Sequence, residues 1–370
     1  MKIGFIGTRG IPARYGGYET FVQELAPFLV VKGIECIVYC DRDSFDKPVY
    51  KGVHLKYLNI TKSKSPLKYY FKSLKQAAKE CDILYVAGTG GALFYSFFKS
   101  KKSIIITNTD GIEHRRDKWS FAKKLFIKIL EFFAVKFSDY IVADSIGIKK
   151  YLVNRYKVKS DKIIQLEYGA YLNNYKGIDV LREYGIEHNK YYLVVSRLEP
   201  ENNVHLMIEG YLLSSQNIPL IIIGNLQENS YVNKLLSKAS DNIRFLGGVY
   251  DANKLNAIRF SCFAHIHGHS VGGTNPSLLE ALGSSNIIIA HDNIFNREVA
   301  GNSMYYFKCP TELNFVFQEL QLLNSSEKNE LSKISQNRIK EYYNWDSIRI
   351  RYYNFFEAIA VKHNLKKMNL

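Results

Sequence analysis

The segment "HGHSVGGTNPSLLEALG" (267–283) places histidines, paired glycines and one acid next to a short helix-like run. Asn275 is a preferred residue at a helix N-cap, and Pro276 suits the first helical position. The leucines that follow repeat on one side until Gly283, which favours a helix end. The spacing therefore predicts a short helix that begins directly after a glycine loop.

The glycine loop and the acid indicate what this helix could bind. Gly272 and Gly273 allow the backbone to come close to a ligand, and a helix N-terminus presents unpaired N–H groups to an anion. Glu280 lies farther along the helix, where its carboxylate would accept hydrogen bonds from hydroxyl groups. A ligand with phosphates and hydroxyls is a nucleotide, so the segment predicts a nucleotide site.

A second candidate lies in "SRLEPENN" (196–203), directly after an apolar run. Arg197 would stand at the end of a strand, where a guanidinium can bind two phosphate oxygens. A surface ion pair with Glu199 or Glu201 is the alternative interpretation.

The loop after the first apolar run, "GTRGIPARYGGYETF", is also rich in glycine and arginine. Gly16 and Gly17 permit close backbone approach before a helical pattern, and Arg9 and Arg14 add positive charge. Phosphate or substrate contact is the prediction, with a purely structural turn as the alternative. The spacing differs from G-x-G-x-x-G, which argues against a dinucleotide enzyme.

Polar side chains also follow a later apolar run, in "TNTDGIEHRRDKW" (107–119). Asn108, Asp110, Glu113 and His114 would lie just beyond a strand end, where open parallel sheets bind ligands. A loop that uses aspartate and glycine for a turn is the alternative.

These candidates need a scaffold, and the sequence repeats apolar runs between helix-period segments. The runs lie at 2–6, 35–40, 82–87, 103–107 and 140–144, then at 191–196, 219–224, 242–247, 262–268 and 286–291. Two tandem α/β units with doubly wound parallel sheets are predicted, joined around 167–190. Facing sheets would place a site in the cleft between them.

Composition and charge narrow the class of protein. The 370 residues carry a net charge of +15 and are 46% hydrophobic, as expected for a folded two-domain chain with an anionic partner. The lysines are dispersed and form no nucleic-acid module, so a phosphorylated ligand or an anionic membrane surface is favoured. The five cysteines lack metal spacing and predict free thiols, with no metal. No apolar run is long enough for a signal peptide or membrane span, which predicts a cytoplasmic protein.

The segment "KWSFAKKLFIKILEFFAVKF" (118–137) has helical period and many lysines. The pattern places Lys123, Lys124, Lys128 and Glu131 on one arc, with Ile129 among the aromatic residues of a buried face. Phe121 and Phe132 flank the lysine arc, which leaves contact with a membrane interface as an alternative.

Taken together, these motifs resemble the large retaining family of GT-B glycosyltransferases. "GGYETFVQELA" is similar to its N-terminal glycine loop, "SRLEPENN" to the start of its second domain, and "GGTNPSLLEALG" to its donor loop. "GIPARYGGYETFVQEL", "NTDGIEHRRDKW" and "HGHSVGGTNPSLLEALG" more closely resemble bacterial polysaccharide rhamnosyltransferases. The resemblance implies two Rossmann-like domains facing across a cleft, at 1–171 (acceptor) and 172–345 (donor). A C-terminal helix at 346–370 would cross back to the first domain.

The resemblance also assigns roles to individual residues. Arg197 matches the arginine that holds the donor diphosphate, and Glu280 the glutamate that binds the ribose. Thr274 and Asn275 sit where loop groups meet the donor. Gly16 and Gly17 match the loop near the phosphates and acceptor.

Two positions depart from the family pattern. Gly272 stands where the family has its first glutamate, and Asn202 where it has a lysine. The candidates to replace the missing contacts are His267, His269, Arg9 and Arg14. Gly272 therefore suggests a donor sugar that is read differently from a common hexose.

The resemblance finally implies a reaction. L-rhamnose would move from dTDP-L-rhamnose to a lipid-linked (polyprenyl diphosphate) saccharide of a capsule or O-antigen, at the inner face of the cytoplasmic membrane. Arg197 would stabilise the leaving diphosphate, with Asp110 or Asn108 near the sugar and acceptor. No metal or cofactor is expected. Another donor, such as a UDP- or GDP-hexose, and a nucleotide-sugar epimerase remain alternatives.

Overall fold

A computed structural model of the protein describes residues 1–13, 16–42, 47–99, 103–109, 111–173 and 177–365. The chain divides into two compact units. Unit 1 comprises Met1–Arg115, Trp119–Tyr168 and Trp345–Leu370, and unit 2 comprises Arg116–Lys118 and Gly169–Asn344. Unit 2 thus starts slightly before the boundary drawn from the sequence. It also contains the short segment Arg116–Lys118, which the sequence placed in the first domain.

Within the described residues, unit 1 is built on an eight-stranded sheet. Its strands are β1 (Lys2–Ile6), β2 (Glu35–Cys40), β3 (Val49–Tyr50), β4 (Val53–Tyr57), β5 (Ile83–Ala87), β6 (Ile104–Thr109), β7 (Tyr140–Ala143) and β8 (Ile163–Gln165). The order is β3-β4-β2-β1-β5-β6-β7-β8, and neighbouring strands are parallel except in the β3–β4 hairpin. The central strands are buried along their length, as expected of a parallel sheet with both faces covered.

Helices alternate with these strands in unit 1. They are α1 (Gly17–Val31), α2 (Pro66–Glu80), α3 (Tyr95–Phe98), α4 (Phe121–Phe137) and α5 (Ile146–Tyr156). Strand–helix–strand crossovers of this kind give the parallel order.

Within the described residues, unit 2 has a six-stranded, fully parallel sheet. Its strands are β9 (Tyr192–Val195), β10 (Leu220–Ile223), β11 (Ile243–Gly247), β12 (Ala264–His267), β13 (Ile287–His291) and β14 (Tyr305–Phe307). The order β11-β10-β9-β12-β13-β14 reads 3-2-1-4-5-6 from the first strand of the unit, which is the Rossmann order. The predicted doubly wound α/β fold is confirmed.

The helices of unit 2 cover both faces of its sheet. They are α6 (Ile178–Glu183), α7 (Val204–Leu213), α8 (Ser230–Leu236), α9 (Ala252–Ser261), α10 (Pro276–Gly283), α11 (Ile294–Ala300), α12 (Pro310–Leu322) and α13 (Ser325–Arg338), followed by a π-helical turn, Ile339–Tyr343. Tyr192 of β9 packs on Phe317 of α12, with ring centroids 4.7 Å apart, in the core on one face of the sheet.

The last helix, α14 (Trp345–Lys362), belongs to unit 1. Tyr352 lies 5.0 Å, between ring centroids, from Phe21 of α1, and its hydroxyl donates to the carbonyl of Leu166. Arg351 pairs with Glu167 at 2.6 Å. Helix α14 is thus part of the core of unit 1.

The exposed and buried faces of helix α4 differ from those predicted from the sequence. Glu131 is buried and accepts hydrogen bonds from the hydroxyls of Tyr151 and Tyr156 on α5, so it does not lie among exposed lysines. Ile129, expected on the buried face, is 42% exposed. The prediction that Glu131 shares one arc of α4 with the lysines was wrong because α5 packs over the turn that contains Glu131.

Candidate functional site

The site of unit 2 lies where the strand order reverses, between β9 and β12. These strands pair with Ala264 opposite Tyr192, and the chain connections leave them in opposite directions. In doubly wound sheets ligands bind at this switch point, beyond the carboxyl ends of the strands. The loop 196–203 after β9 and the loop 268–275 after β12 therefore form the candidate site.

Hydrogen bonds fix the two loops against each other. The side-chain amide of Asn203 donates to the carbonyl of Gly268 at 2.8 Å, and Ser270 donates through its backbone N–H and its hydroxyl to the carbonyl of Glu201. A Cβ at Gly268 would stand 2.3 Å from the carbonyl oxygen of Asn202, so only glycine permits this approach. Asn202 also donates to the carbonyl of Arg197 at 2.7 Å. Asn202 is buried as a loop brace and does not project as a lysine would.

Arg197 lies at the exposed side of this loop, within a cluster of charges. Its side chain is 42% exposed, and its guanidinium stands 3.7 Å from Glu199. Lys118, from the short segment of unit 2, also approaches Glu199, with Nζ 3.2 Å from Oε2. Burial acts to raise the pKa of Glu199, but Arg197 and Lys118 outweigh it and hold that pKa below its ordinary value. Glu199 is thus an anion that positions two cations.

A second acid, Glu201, lies behind this pair. Glu201 is buried, and neither of its carboxyl oxygens has a hydrogen-bond partner among the described residues. Arg116 stands 3.8 Å away. Burial and the charge of Glu199 raise the pKa of Glu201. Three cations, Arg116, Lys118 and Arg197, face the two acids Glu199 and Glu201, so the cluster carries an excess of positive charge, which suits an anionic ligand.

Three histidines share one face of β12 and its extension. The rings of His267 and His269 stack at 4.3 Å between centroids, and His265 follows at 6.4 Å from His267. Burial is the main cause that lowers the pKa of each ring, and the value for His267 falls to about 3. Neutral imidazoles offer one donor and one acceptor each. The three stacked rings therefore form a polar but uncharged wall that extends to the loop after β12.

The donor loop and α10 form as the sequence predicts. The side chain of Asn275 caps the helix by accepting from the N–H of Ser277 at 3.0 Å. Gly273 and Thr274 are buried residues of this loop. At Gly272 a Cβ would meet nothing within 4 Å, but φ is +155°, which side-chain-bearing residues rarely adopt. An acid at position 272 would therefore have room for its side chain but would strain this backbone conformation.

Glu280 points from the middle of α10 and is partly exposed. Its carboxylate lies 2.5 Å from the guanidinium of Arg259, which is buried on α9. The pair fixes the orientation of Glu280 while 41% of its side chain stays accessible. A carboxylate held in this way can still accept hydrogen bonds from a diol.

In unit 1, the loop after β1 is held by the first turns of α1. Glu19 accepts from the N–H of Arg9 at 2.8 Å and lies next to Gly16, which has φ +110°. Arg9 is exposed, and Gly17 begins the helix. A carboxylate therefore already lies at the N-terminus of α1, and Arg14 lies outside the described residues.

The other polar segment of unit 1 is largely structural in its contacts. Asn108 ends β6, is fully buried and donates to the hydroxyl of Tyr85 at 2.7 Å, while its Oδ1 has no hydrogen-bond partner among the described residues. Glu113 accepts from Trp119 at 3.0 Å, and His114 lies 3.4 Å from Glu131. Asp110 lies outside the described residues. The roles predicted for Asn108 and Asp110 stay predictions.

Sequence reasoning missed three residues of the unit 2 site. Arg116 and Lys118 approach the Arg197 loop through the fold of the chain, for which the sequence carries no local signal. His265 could have been found, because "HIHGH" repeats with the period of a strand face. In the part of the chain that the structure describes, no group of three or more acidic, histidine or cysteine side chains is arranged to hold a metal ion.

Two Rossmann units, one with a cationic switch point beside a capped helix N-terminus, have the architecture of a GT-B glycosyltransferase. The solved structures that share this fold include the following three. Sucrose-phosphate synthase from Thermosynechococcus elongatus is 12% identical, with 98% of this chain and 99% of that chain covered and a TM-score of 0.82. HepE from Anabaena, in complex with UDP-glucose, is 15% identical, with 97% and 100% covered and a TM-score of 0.76. Trehalose 6-phosphate synthase from Burkholderia multivorans is 12% identical, with 100% and 98% covered and a TM-score of 0.74.

The family models divide the chain much as the fold does. Residues 179–341 match the model "Glycosyl transferases group 1", and residues 1–171 match a domain of unknown function, DUF1972. None of the curated proteins matches the sequence. The chain therefore carries a group 1 glycosyl transferase domain, and it is a glycosyltransferase with the GT-B fold.

Proposed function

We propose that the protein transfers a sugar from a nucleoside diphosphate to a lipid-linked saccharide. The donor proposed is dTDP-L-rhamnose, and the product belongs to a bacterial surface polysaccharide. The observation that carries the proposal is the placement of Arg197 and the N-terminus of α10 together at the switch point of a group 1 domain. These groups are suited to a diphosphate, and Glu280 to the hydroxyls of its ribose.

The proposed chemistry follows from the charges. Bond cleavage puts negative charge on the departing nucleoside diphosphate, which Arg197, Lys118 and the helix N-terminus stabilise. The sugar acquires oxocarbenium character, and the leaving phosphate can accept the proton of the attacking hydroxyl. The stacked His267 and His269 add hydrogen-bonding groups without adding charge. No nucleophilic side chain is required.

The identity of the donor sugar rests on the three long motifs and on Gly272. An acid at that position would bind sugar hydroxyls, and its absence favours a 6-deoxyhexose such as rhamnose. A UDP-hexose is the second candidate. It is favoured by HepE, which has this fold and was solved with UDP-glucose.

The lipid-linked acceptor is supported by one surface of α4. Its exposed apolar stripe consists of Phe121, Leu125, Ile129 and Phe132, which are 85%, 52%, 42% and 47% exposed. Their spacing of four, four and three residues places them on one side of the helix. Lys136 lies over the ring of Phe132, and α4 carries further lysines beside the stripe. An exposed apolar stripe with flanking lysines fits the interface of an anionic membrane.

The surface does not make α4 a membrane-spanning helix. No helix in the described ranges is both long enough and apolar enough to cross a bilayer. The proposed contact is therefore peripheral.

The proposal is tested with a panel of nucleotide sugars and a synthetic polyprenyl diphosphate saccharide, with the product identified by mass. Transfer of a deoxyhexose from dTDP-L-rhamnose is expected. Transfer from UDP-hexoses alone would replace the rhamnose assignment. Conversion of the donor without any acceptor would indicate an epimerase instead.

A further inference from the structure

A cavity of about 820 Å³ lies in unit 2 at the edge of the sheet opposite the candidate site. Its wall includes residues just before three strands: Asn189 before β9, Asn217 before β10 and Asn286 before β13. Helices α12 and α13 close the other side, through residues such as Gln321 and Asn329. Its volume falls within the range of about 300–1,000 Å³ typical of small-molecule sites. None of the residues assigned to the donor site lines it.

The chemistry of the wall is polar but almost uncharged. Among the described residues that line the cavity, side-chain amides and serine hydroxyls predominate, and no carboxylate is present. Lys328 supplies the cation, and it lies over the ring of Phe263 at 5.0 Å from the centroid. Amide and hydroxyl groups both donate and accept, as the hydroxyls of a sugar do.

We propose that this cavity binds a neutral saccharide. Amides and serines would satisfy the sugar hydroxyls. Asn286 gives a second, independent indication: it is buried at the cavity wall, and its Oδ1 has no hydrogen-bond partner among the described residues. A buried acceptor without a donor is costly, and a ligand hydroxyl would relieve that cost.

Hydrogen bonds connect the cavity wall to Glu280. Helix α10 begins at the donor loop and ends at Gly283, and the hydroxyl of the next residue, Ser284, donates to the carbonyl of Glu280 at 2.9 Å. The amide of Asn286 donates to the carbonyl of Arg259 at 2.7 Å, and Arg259 pairs with Glu280. A saccharide that orders this wall would thereby change nucleotide affinity. This coupling rests on the proposed function, whereas saccharide binding itself does not.

Saccharide binding is tested by isothermal titration and saturation-transfer NMR with lactose, maltotriose and a synthetic rhamnose trisaccharide. Ser332→Trp fills the cavity from α13, and Lys333→Trp, one residue along on the exposed side, is the matched control. At least one probe should bind wild type and Lys333→Trp with millimolar affinity, and Ser332→Trp should weaken it at least about tenfold. Thermal melting checks that both variants fold. No binding by any probe, or equal binding by Ser332→Trp, overturns the inference.

The coupling is read from UDP and dTDP affinities with and without saturating saccharide. Wild type should change by about threefold or more, and Ser332→Trp should not change. An unchanged affinity in wild type sinks the coupling alone. If saccharide binds and neither nucleotide does, the proposed function fails while the cavity assignment stands. If a nucleotide binds and no saccharide does, the cavity assignment fails while the proposed function stands.

Discussion

Lys118 and Glu199 form an ion pair in unit 2, with Nζ 3.2 Å from the nearer carboxylate oxygen. Arg197 approaches the same carboxylate at 3.7 Å. The carboxylate of Glu199 thus contacts two cations at the end of β9, and these two cations are distant from each other in the sequence. Neither pair is worth much as a stabilising contact, because both are partly exposed. Their shared position is better explained by a role in binding an anion.

Neutralising these cations should weaken binding of a nucleoside diphosphate. Arg197→Met removes a bidentate donor and should raise the Kd for dTDP or UDP by about 30- to 100-fold, and Lys118→Met should raise it by about tenfold. Titration calorimetry at fixed ionic strength measures both.

Lys190→Met is the control for these variants, because Lys190 forms a surface pair with Glu187 away from the switch point. It should bind nucleotide as wild type does. If Lys118→Met also binds like wild type, Lys118 acts only as a structural partner of Glu199.

Glu280 provides a second prediction. Glu280→Gln keeps the shape of the side chain but weakens its acceptance of ribose hydroxyls, so KM for the donor should rise about tenfold with a smaller change in kcat. Arg259→Met should give a similar KM effect, since the carboxylate loses the guanidinium that orients it. Glu183→Gln, which breaks a surface pair with Lys254, is the control and should leave KM unchanged. An unaltered KM in Glu280→Gln would remove this residue from the donor site.

Much of the scaffold could be predicted from the sequence, because long apolar runs in a parallel sheet are buried on both faces and stand out. Every one of the ten predicted runs overlaps a strand, and α10 begins and ends where Asn275 and Gly283 indicated. The strands that were missed, β3, β4, β8 and β14, are short or lie toward the sheet edges. Their residues are partly exposed and carry no comparable apolar run.

The parts of the site that escaped prediction depend on tertiary contacts. The sequence does not indicate that the Asn202 side chain turns inward and donates to the carbonyl of Arg197. It also does not indicate that Lys118 forms an ion pair with Glu199. Likewise, the arc of α4 follows helix period, but only the packing of α5 decides that Glu131 is covered and Ile129 is not. Periodicity gives the faces of a helix and does not tell which neighbour covers them.

The α4 stripe leads to a prediction about membranes. Ile129→Glu combined with Phe132→Glu replaces two exposed apolar groups by charges and should reduce binding to vesicles with 30% anionic lipid by about tenfold or more. Vesicle sedimentation in low and high salt measures the loss, and the wild-type binding should weaken as salt rises. Leu212→Glu combined with Leu213→Glu, on an exposed part of α7, is the matched control. Equal loss in the control would show a general effect of charge and would exclude α4 as the contact.

Asp110 can be tested although it lies outside the described residues. If it contacts the sugar or acceptor, Asp110→Asn should lower kcat by about 100-fold and leave the Kd for nucleotide nearly unchanged. Asp161→Asn, in a helical turn before β8, serves as the control. Full turnover by Asp110→Asn would take this residue out of the catalytic machinery.

The histidines of β12 predict how stability depends on pH. Burial lowers the pKa of His267 to about 3, and burial lowers the pKa of His265 well below its ordinary value. In the unfolded chain both titrate near 6.5, so below that pH the unfolded state binds protons that the folded state does not. Stability should therefore fall as pH drops below about 6.5, by up to about 1.4 kcal/mol per pH unit for each histidine. Above that pH both states are neutral, and the histidines add no slope.

Urea unfolding between pH 5 and pH 7 checks this, in a window above most carboxylate titration. His267→Gln changes absolute stability for packing reasons, so the informative quantity is the slope of the unfolding free energy against pH. That slope should be smaller than in wild type by about one histidine's share, up to about 1.4 kcal/mol per pH unit. His54→Gln removes a solvent-exposed histidine on β4 and should keep the wild-type slope. If His267→Gln also keeps it, His267 is protonated in the folded protein within this range, and the neutral wall beside the donor loop does not exist.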